Sequence, residues 1–369
     1  MKRAAAAAIS LMTGLAMLTG CSRAEVEETI QPLVADAIEE SDSEAEAVKE
    51  EDESPLIPEI DTDIKIRAGS RIAVVSKCVK GEYWKMVKKG MEDAVKEINK
   101  AYGYKKDDQI TMTFEGPDNE EDVETQINTI DAVIAENPDV LCISASDMDS
   151  CEAQLEAAKE NGIPVIAFDS NVAEKKLVKA YRGTDNVQVG KMAAYQLGSA
   201  LGKMGKVAVF SAQQKTKSVQ DRVEGFMNNI GKYGDIEVVE TIYSDQVDDM
   251  EASMKEVLEK YPTLDGVFCT NADITEMYLN LEKSDEHDAP ALVGVDATTK
   301  QQEAIRNGEE IGCVSQQPYA MGYQTIWAAI ETTAPKKSVV IEKNVLSNPA
   351  WIDADCLDDP DYSGYLYTE

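Results

Sequence analysis

RIAVVSKCVKGEYWKMVKKG, residues 71–90, carries two periodicities end to end. Ile72 to Val75 form an unbroken apolar run of strand length, and beyond the polar turn at Lys80 and Gly81 the apolar residues Val87, Met91, Ala94, Val95 and Ile98 recur at helical spacing. The stretch predicts strand, loop and helix in that order. It also sets Tyr83 and Trp84 side by side where the strand hands over to the helix, in a chain with only three Trp and five Phe.

The same alternation continues outward from there. Further apolar runs are ITMTFEG, DVLCIS, IPVIAF and LVKAY, then KVAVF, IEVVETIY, DGVFCT, ALVGVD and IGCVS. Between them lie helical patterns such as Ile127, Ile130, Val133 and Ile134, ended by ENPD, ENGIP and NGEEIG, where Asn, Gly or Pro stops the periodicity. Strands alternating with helices predict doubly wound parallel sheets covered on both faces. Ten runs are many for one sheet and suit two sheets of about five or six strands each. The length of 369 residues agrees, being too great for one ordinary core.

The N-terminus is different. Lys2 and Arg3 precede an apolar stretch from Ala4 to Leu18, and small residues precede Cys21, which is the plan of an export signal. Leu18, Thr19, Gly20 and Cys21 resemble the lipobox of bacterial lipoproteins; by that resemblance residues 1–21 are the signal and Cys21 the lipidated anchor. Two or three acyl chains suffice to hold a protein at a membrane surface without crossing it. An ordinary signal peptide with an incidental Cys is the plainer alternative. Residues 22–63 hold sixteen acids against Arg23 and Lys49, and such a stretch cannot bury enough apolar area to fold, so residues 22–65 read as an acidic tether.

The chain carries a net charge of −33, of which about −21 remains beyond residue 63. That surface repels nucleic acid, and no basic cluster offsets it. The single His287 lies in the polar stretch SDEHDAP, which argues against a His-based hydrolase or a multi-His zinc site. DNEED and DDPD are acidic but complete no calcium loop, so no metal or cofactor is expected. Besides Cys21, six Cys lie mostly in strand-like runs without a CxxC, and buried thiols are the default, with room for one bridge.

In parallel sheets, ligands bind beyond the carboxyl ends of the strands. The residues predicted there are Tyr83, Trp84, Ser144, Asp169, Arg222, Asn271, Asp296 and Gln316. Singly each has a plain explanation, since Asp and Ser after a strand commonly cap helices and Arg222 could be solvated. Together they supply carboxylates, amides and a guanidinium beside aromatic rings. Carboxylates accept from sugar hydroxyls, Arg and Asn donate to them, and the apolar C–H faces of a sugar pack on rings. Tyr83 and Trp84 would then wall the cleft, although a packing contact at the helix start would also account for them.

These motifs resemble the type I periplasmic binding proteins, the ribose- and galactose-binding class of ABC-transporter receptors. The similarity covers roughly residues 70–345: the opening stretch, DVLCISASD, IPVIAFDS, YRGTDNVQVGKMAA, VQDRVEGF, GVFCTNAD, LVGVD and SQQP, in that order. The resemblance implies two doubly wound domains joined by a three-segment hinge, residues 66–183 with 317–345 and residues 184–316 with 346–369. It implies that Tyr83 and Trp84 are the sugar's aromatic wall, and that Asp169 binds its hydroxyls. Arg222, Asn271, Asp296 and Gln316 would be the polar contacts of the second domain and hinge, and Asp185 and Asn186 the first crossing. The implied role is extracytoplasmic capture of a monosaccharide or related polyol and delivery to a membrane permease, with no bond made or broken. The chain departs from the family at Gly81-Glu82, where Asn-Pro is frequent, at Ser170, where Arg is frequent, and at Ser144, where Asn is frequent. A lost guanidinium and a lost amide predict a different hydroxyl pattern or a ligand other than ribose. Lys77 and Lys80 are candidates for the missing donor charge, set against the ordinary solvated lysine at a strand end.

Three rivals share the scaffold. An enzyme would need a catalytic motif, and no Walker A loop, GxSxG or GxGxxG follows a strand. Asp169 and Asp296 could in principle serve as a glycosidase pair. A repressor needs a basic helix-turn-helix where this chain has its lipobox and acidic stretch. A receptor reporting to a sensor kinase or chemotaxis protein would look the same from inside the cleft.

Overall fold

Each of the ten apolar runs meets a strand in the computed structural model, which describes residues 57–281, 289–335 and 338–368. The leader with Cys21, the acidic stretch up to residue 56 and His287 lie outside the described residues. One sheet contains β1 (Arg71–Val75), β2 (Thr111–Glu115), β3 (Val140–Ile143), β4 (Val165–Phe168) and β5 (Ala180–Thr184). Helices α1 (Glu82–Ala101), α2 (Val123–Ala135) and α3 (Glu152–Glu160) follow β1, β2 and β3. After α4 (Asn186–Ala200) the second sheet begins, with β6 (Met204–Ser211), β7 (Asp235–Tyr243), β8 (Gly266–Cys269), β9 (Ala291–Val295) and β10 (Gly312–Ser315). Between these run α5 (Lys217–Ile230), α6 (Met250–Lys260), α7 (Ala272–Leu279) and α8 (Thr299–Asn307). The chain then forms α9 (Pro318–Glu331), β11 (Asn344–Ser347) and β12 (Ala350–Ile352).

The strand orders are β11-β5-β4-β3-β1-β2 and β12-β10-β9-β8-β6-β7, parallel throughout except that β12 runs antiparallel to β10. Two doubly wound α/β sheets are therefore present, as the sequence predicts. Central strands are apolar on both faces because helices cover both sides. Ile72 and Val74 pack toward α1 and α9, while Ala73 and Val75 pack toward α2 and α3. Edge strand β2 alternates instead, with exposed and half-buried positions taking turns along TMTFE.

The chain passes between the sheets three times: from β5 into α4, from β10 into α9, and from β11 to β12. The first and third passages lie side by side, since the Asp185 N–H donates to the Ser347 carbonyl at 3.1 Å. Residues before β1 also pack. Ile60 and Ile64 lie against the core of the first lobe, and the Tyr102 hydroxyl donates to the carbonyls of Asp61 and Ile64. No helix among the described residues is long and apolar enough to cross a membrane. The five cysteines Cys78, Cys142, Cys151, Cys269 and Cys313 are buried free thiols, and Cys356 is a half-buried one.

Each lobe contains one glycine seam. A Cβ on Gly90 of α1 would lie 2.0 Å from the Tyr319 carbonyl oxygen of α9, and one on Gly190 of α4 would lie 1.9 Å from the Arg222 carbonyl oxygen of α5. Real Cβ atoms do not approach oxygen so closely, so only glycine lets these helix backbones touch. The seams fix the helices that carry Tyr83, Trp84 and Arg222.

Candidate functional site

In both sheets the strand order reverses between the first and third strands, β1 and β3 in one and β6 and β8 in the other, and a crevice opens where neighbouring connections leave in opposite directions. The two crevices face each other across one cavity of about 320 Å³. Seven of the eight predicted residues line it: Tyr83, Trp84, Asp169, Arg222, Asn271, Asp296 and Gln316. Ser144 stands behind them, fully buried, and donates its hydroxyl to Asp169 Oδ2 at 2.7 Å.

Tyr83 and Trp84 occupy the first turn of α1, their rings edge to face with centroids 5.1 Å apart. The Tyr83 hydroxyl donates to Asp169 Oδ1 at 2.7 Å, and the Trp84 indole N–H donates to Glu120 at 2.8 Å. Both rings are thereby held by carboxylates on neighbouring loops. Asp169 follows β4 with φ +53°, a left-handed conformation in which Asp is one of the few tolerated residues.

Lys77 completes this corner. It is buried at 4% exposure, with Nζ 3.1 Å from Asp169, 3.7 Å from Glu120 and 5.7 Å from the Trp84 ring centroid. Burial alone would raise the pKa of Asp169, but Lys77, the hydroxyls of Ser144 and Tyr83, and Arg222 reverse that and hold it below the usual carboxylate value. Burial likewise opposes the charge on Lys77, and Asp169 with Glu120 outweighs it, so its pKa is raised. Of the two lysines weighed from sequence, Lys77 is the buried one and Lys80 is exposed beside Asp118.

The opposite wall is built from the second sheet. Asn271 caps α7 through its side-chain oxygen, which accepts from the Ile274 N–H, so its amide nitrogen is free to face the cavity. Arg222 is 4% exposed, its Nε donating to Asn186 and its Nη1 to the Thr270 carbonyl, both at 2.8 Å. Asp296 follows β9 with φ +79°. Its Oδ1 accepts from Gln316 at 2.7 Å and from the Tyr367 hydroxyl at 2.9 Å, and its Oδ2 accepts from the Ala272 N–H at 3.0 Å. Tyr367 reaches across to Tyr83, ring centroids 5.9 Å apart.

Hydrogen bonds also join the rims. Thr216 donates to the Ser146 carbonyl at 2.6 Å, the Met148 N–H to the Lys215 carbonyl at 3.1 Å, and the Thr299 N–H to Glu82 at 2.8 Å. The lobes are thus closed on each other. Glu120, Asp273, Glu276 and Tyr367 were not singled out from the sequence. Asp273 and Glu276 had a signal, one turn apart on a helix directly after a strand-end Asn. Tyr367 had none.

Fold and site together define a two-lobed α/β binding protein with a polar, aromatic-walled cleft between parallel sheets. The chain belongs to the periplasmic binding protein family, whose domain it matches over residues 72–337. It is 26% identical over 220 residues to the ribose import binding protein of Bacillus subtilis, covering 60% of this chain and 71% of that protein. With the xylitol-binding protein of Mycolicibacterium smegmatis the identity is 25% over 211 residues, covering 57% of this chain and 60% of that protein. The matched stretch thus spans less than two thirds of the second relative. An ABC-transporter solute-binding protein from Agrobacterium vitis with bound D-fucose superposes with a TM-score of 0.72 at 26% identity, covering 81% of this chain and all of that one. Another from the same organism, bound to α-D-tagatopyranose, has a TM-score of 0.74 at 24% identity, with 81% and 100% coverage, and shares the fold.

Proposed function

We propose that this chain is the extracytoplasmic receptor of an ABC importer. In this reading it captures a monosaccharide or related polyol between its lobes and delivers it to a membrane permease. Residues 66–183 with 317–345 and residues 184–316 with 346–369 act as the two domains, rotating about the three passages. Lipidated Cys21 and the acidic stretch tether them to the outside of the bacterial membrane. Closure is favoured by a ligand that touches both walls, because only the closed form brings both sets of polar groups to it.

The observation that carries this reading is the convergence of donors and acceptors from the strand ends of both sheets on one cavity beside Tyr83 and Trp84. Arg222 and the Asn271 amide can donate to hydroxyls, Asp296 and Gln316 can accept from them, and the rings can cover a C–H face. The relatives named above include binding proteins for ribose and xylitol and a solute-binding protein with bound D-fucose, which favours the same ligand class and binding without turnover.

Thermal unfolding of the protein against pentoses, hexoses, inositols and nucleosides tests it. A ligand at a hundred times its dissociation constant adds about 2.7 kcal/mol to stability. A shift with one sugar, lost in Trp84→Ala and Asp296→Ala, is the expected result. No shift with any of them would overturn the sugar assignment.

A further inference from the structure

The cleft holds more negative charge than hydroxyl recognition requires. Seven carboxylates line it against four cations. Lys80 pairs with Asp118 at the exposed rim, and Lys77 serves Asp169 and Glu120. Glu82 accepts the Thr299 N–H, and Asp296 has its three donors. Two acids on α7 remain. Asp273 has no hydrogen bond or ion pair among the described residues, and Glu276 has only the Thr298 hydroxyl, at 2.6 Å. Nearby Lys300 donates instead to Asn280 and to the backbone carbonyl of Glu276.

These two acids face Glu120 from the other lobe. Asp273 is an exposed residue at the rim of the cavity; partial desolvation of its carboxylate there, then the charges of Glu120, Glu276 and Asp296, push its pKa up to about 7 against the pull of Lys77. Closing the lobes therefore drives like charges together, a cost that an opposite charge in the gap would cancel. The same cavity also offers hydrogen-bond donors. Arg222 and Asn271, 4% and 9% exposed, each have a nitrogen without a partner among the described residues, Nη2 and Nδ2, and both line the cavity. Arg222 acts electrostatically on Lys77 and Asp169, which sets its guanidinium beside that corner. No group of three side chains suited to hold a metal ion occurs among the described residues.

We propose that the solute of this cleft carries a protonated amine beside its hydroxyls, as in an unacylated amino sugar or aminopolyol, with the amine received by Asp273 and Glu276 on α7. This deepens the sugar-receptor reading and rests on it. A primary ammonium offers three donors, and each charge-assisted bond to a carboxylate is roughly twice as strong as a neutral one.

Calorimetric titration of the full-length chain in detergent decides the matter, using free 2-amino-2-deoxyhexoses, their N-acetyl forms and the parent hexoses. The free amine should bind at least about tenfold more tightly than either counterpart. In Asp273→Asn and Glu276→Gln that ratio should fall toward one, with circular dichroism confirming that both variants fold. A parent hexose that binds as tightly as its amine overturns the proposal and leaves the sugar receptor standing. So does an amine advantage that survives the double variant. Binding of no carbohydrate, aminated or plain, overturns the receptor reading itself.

Discussion

Asp169 and Asp296 occupy equivalent corners of the two lobes. Each follows a central strand in a left-handed conformation, and each accepts a hydrogen bond from a tyrosine hydroxyl, Tyr83 or Tyr367. They differ in what balances the charge. Asp169 has an ammonium 3.1 Å away, whereas Asp296 is held only by neutral donors, an amide, a phenol and a backbone N–H. The first corner is an internally paired brace that aims Tyr83 and Lys77. The second has no cation beside it and faces the cleft. Two carboxylates in matching places thus do different work, and the partner decides which.

The sharpest way to break this contrast is Lys77→Met. It leaves Asp169 buried without its cation and should cost about 3–5 kcal/mol in urea unfolding. Adding Asp169→Asn should recover much of that, because a carboxamide needs no counter-charge. A double variant that loses the sum of both single effects would show that the pair is not a unit.

A smaller effect separates the tyrosines. Tyr367→Phe removes one of three neutral donors from an unpaired carboxylate and should cost about 1.5–3 kcal/mol, while Tyr83→Phe, backed by Lys77, should cost about 1 kcal/mol. Equal losses would mean that the ammonium adds nothing at Asp169.

The smallest effect is on pH dependence. Burial raises Glu331, opposed by Arg182, from 4.5 to about 7, and Asp273 is raised into the same range. Groups that hold protons more tightly when folded make stability fall as pH rises from about 4.5 to 7. Asp169 works the opposite way: its depressed value gives stability that is present above 3.8 and lost only as pH falls below it. The melting temperature of the unliganded protein should therefore decline between pH 5 and 7, less so in Glu331→Gln. A flat profile in both would remove Glu331 as the source.

Much of this was legible in the sequence. The central strands announce themselves because a parallel strand covered on both faces is a continuous apolar run, edge strands such as β2 show alternation instead, and the strand ends then locate the polar residues. Strands β11 and β12 could not be found that way. NVLS and AWI are four and three residues long, at sheet edges, and are strands only because β5 and β10 offer them partners. Ser144 could be placed at a strand end, but its position behind Asp169 depends on side chains from two strands. Lys77 presented the same difficulty more strongly, since nothing local distinguishes a lysine that will meet Asp169 from one that will meet water. Tyr367 belongs to no periodic element, and its place depends on the whole path of the tail.

The glycine seams have an evolutionary consequence. Gly90 and Gly190 lock the helices bearing Trp84 and Arg222 to their neighbours backbone to backbone, with no side chain in the joint. In the receptor reading proposed above, further ligand contacts lie apart from these joints, at the strand ends and on α7. On that reading a lineage can exchange one preference for another at Asp273 or Glu276 without refitting the joints, and the same separation makes the cleft a tractable frame for a redesigned sensor.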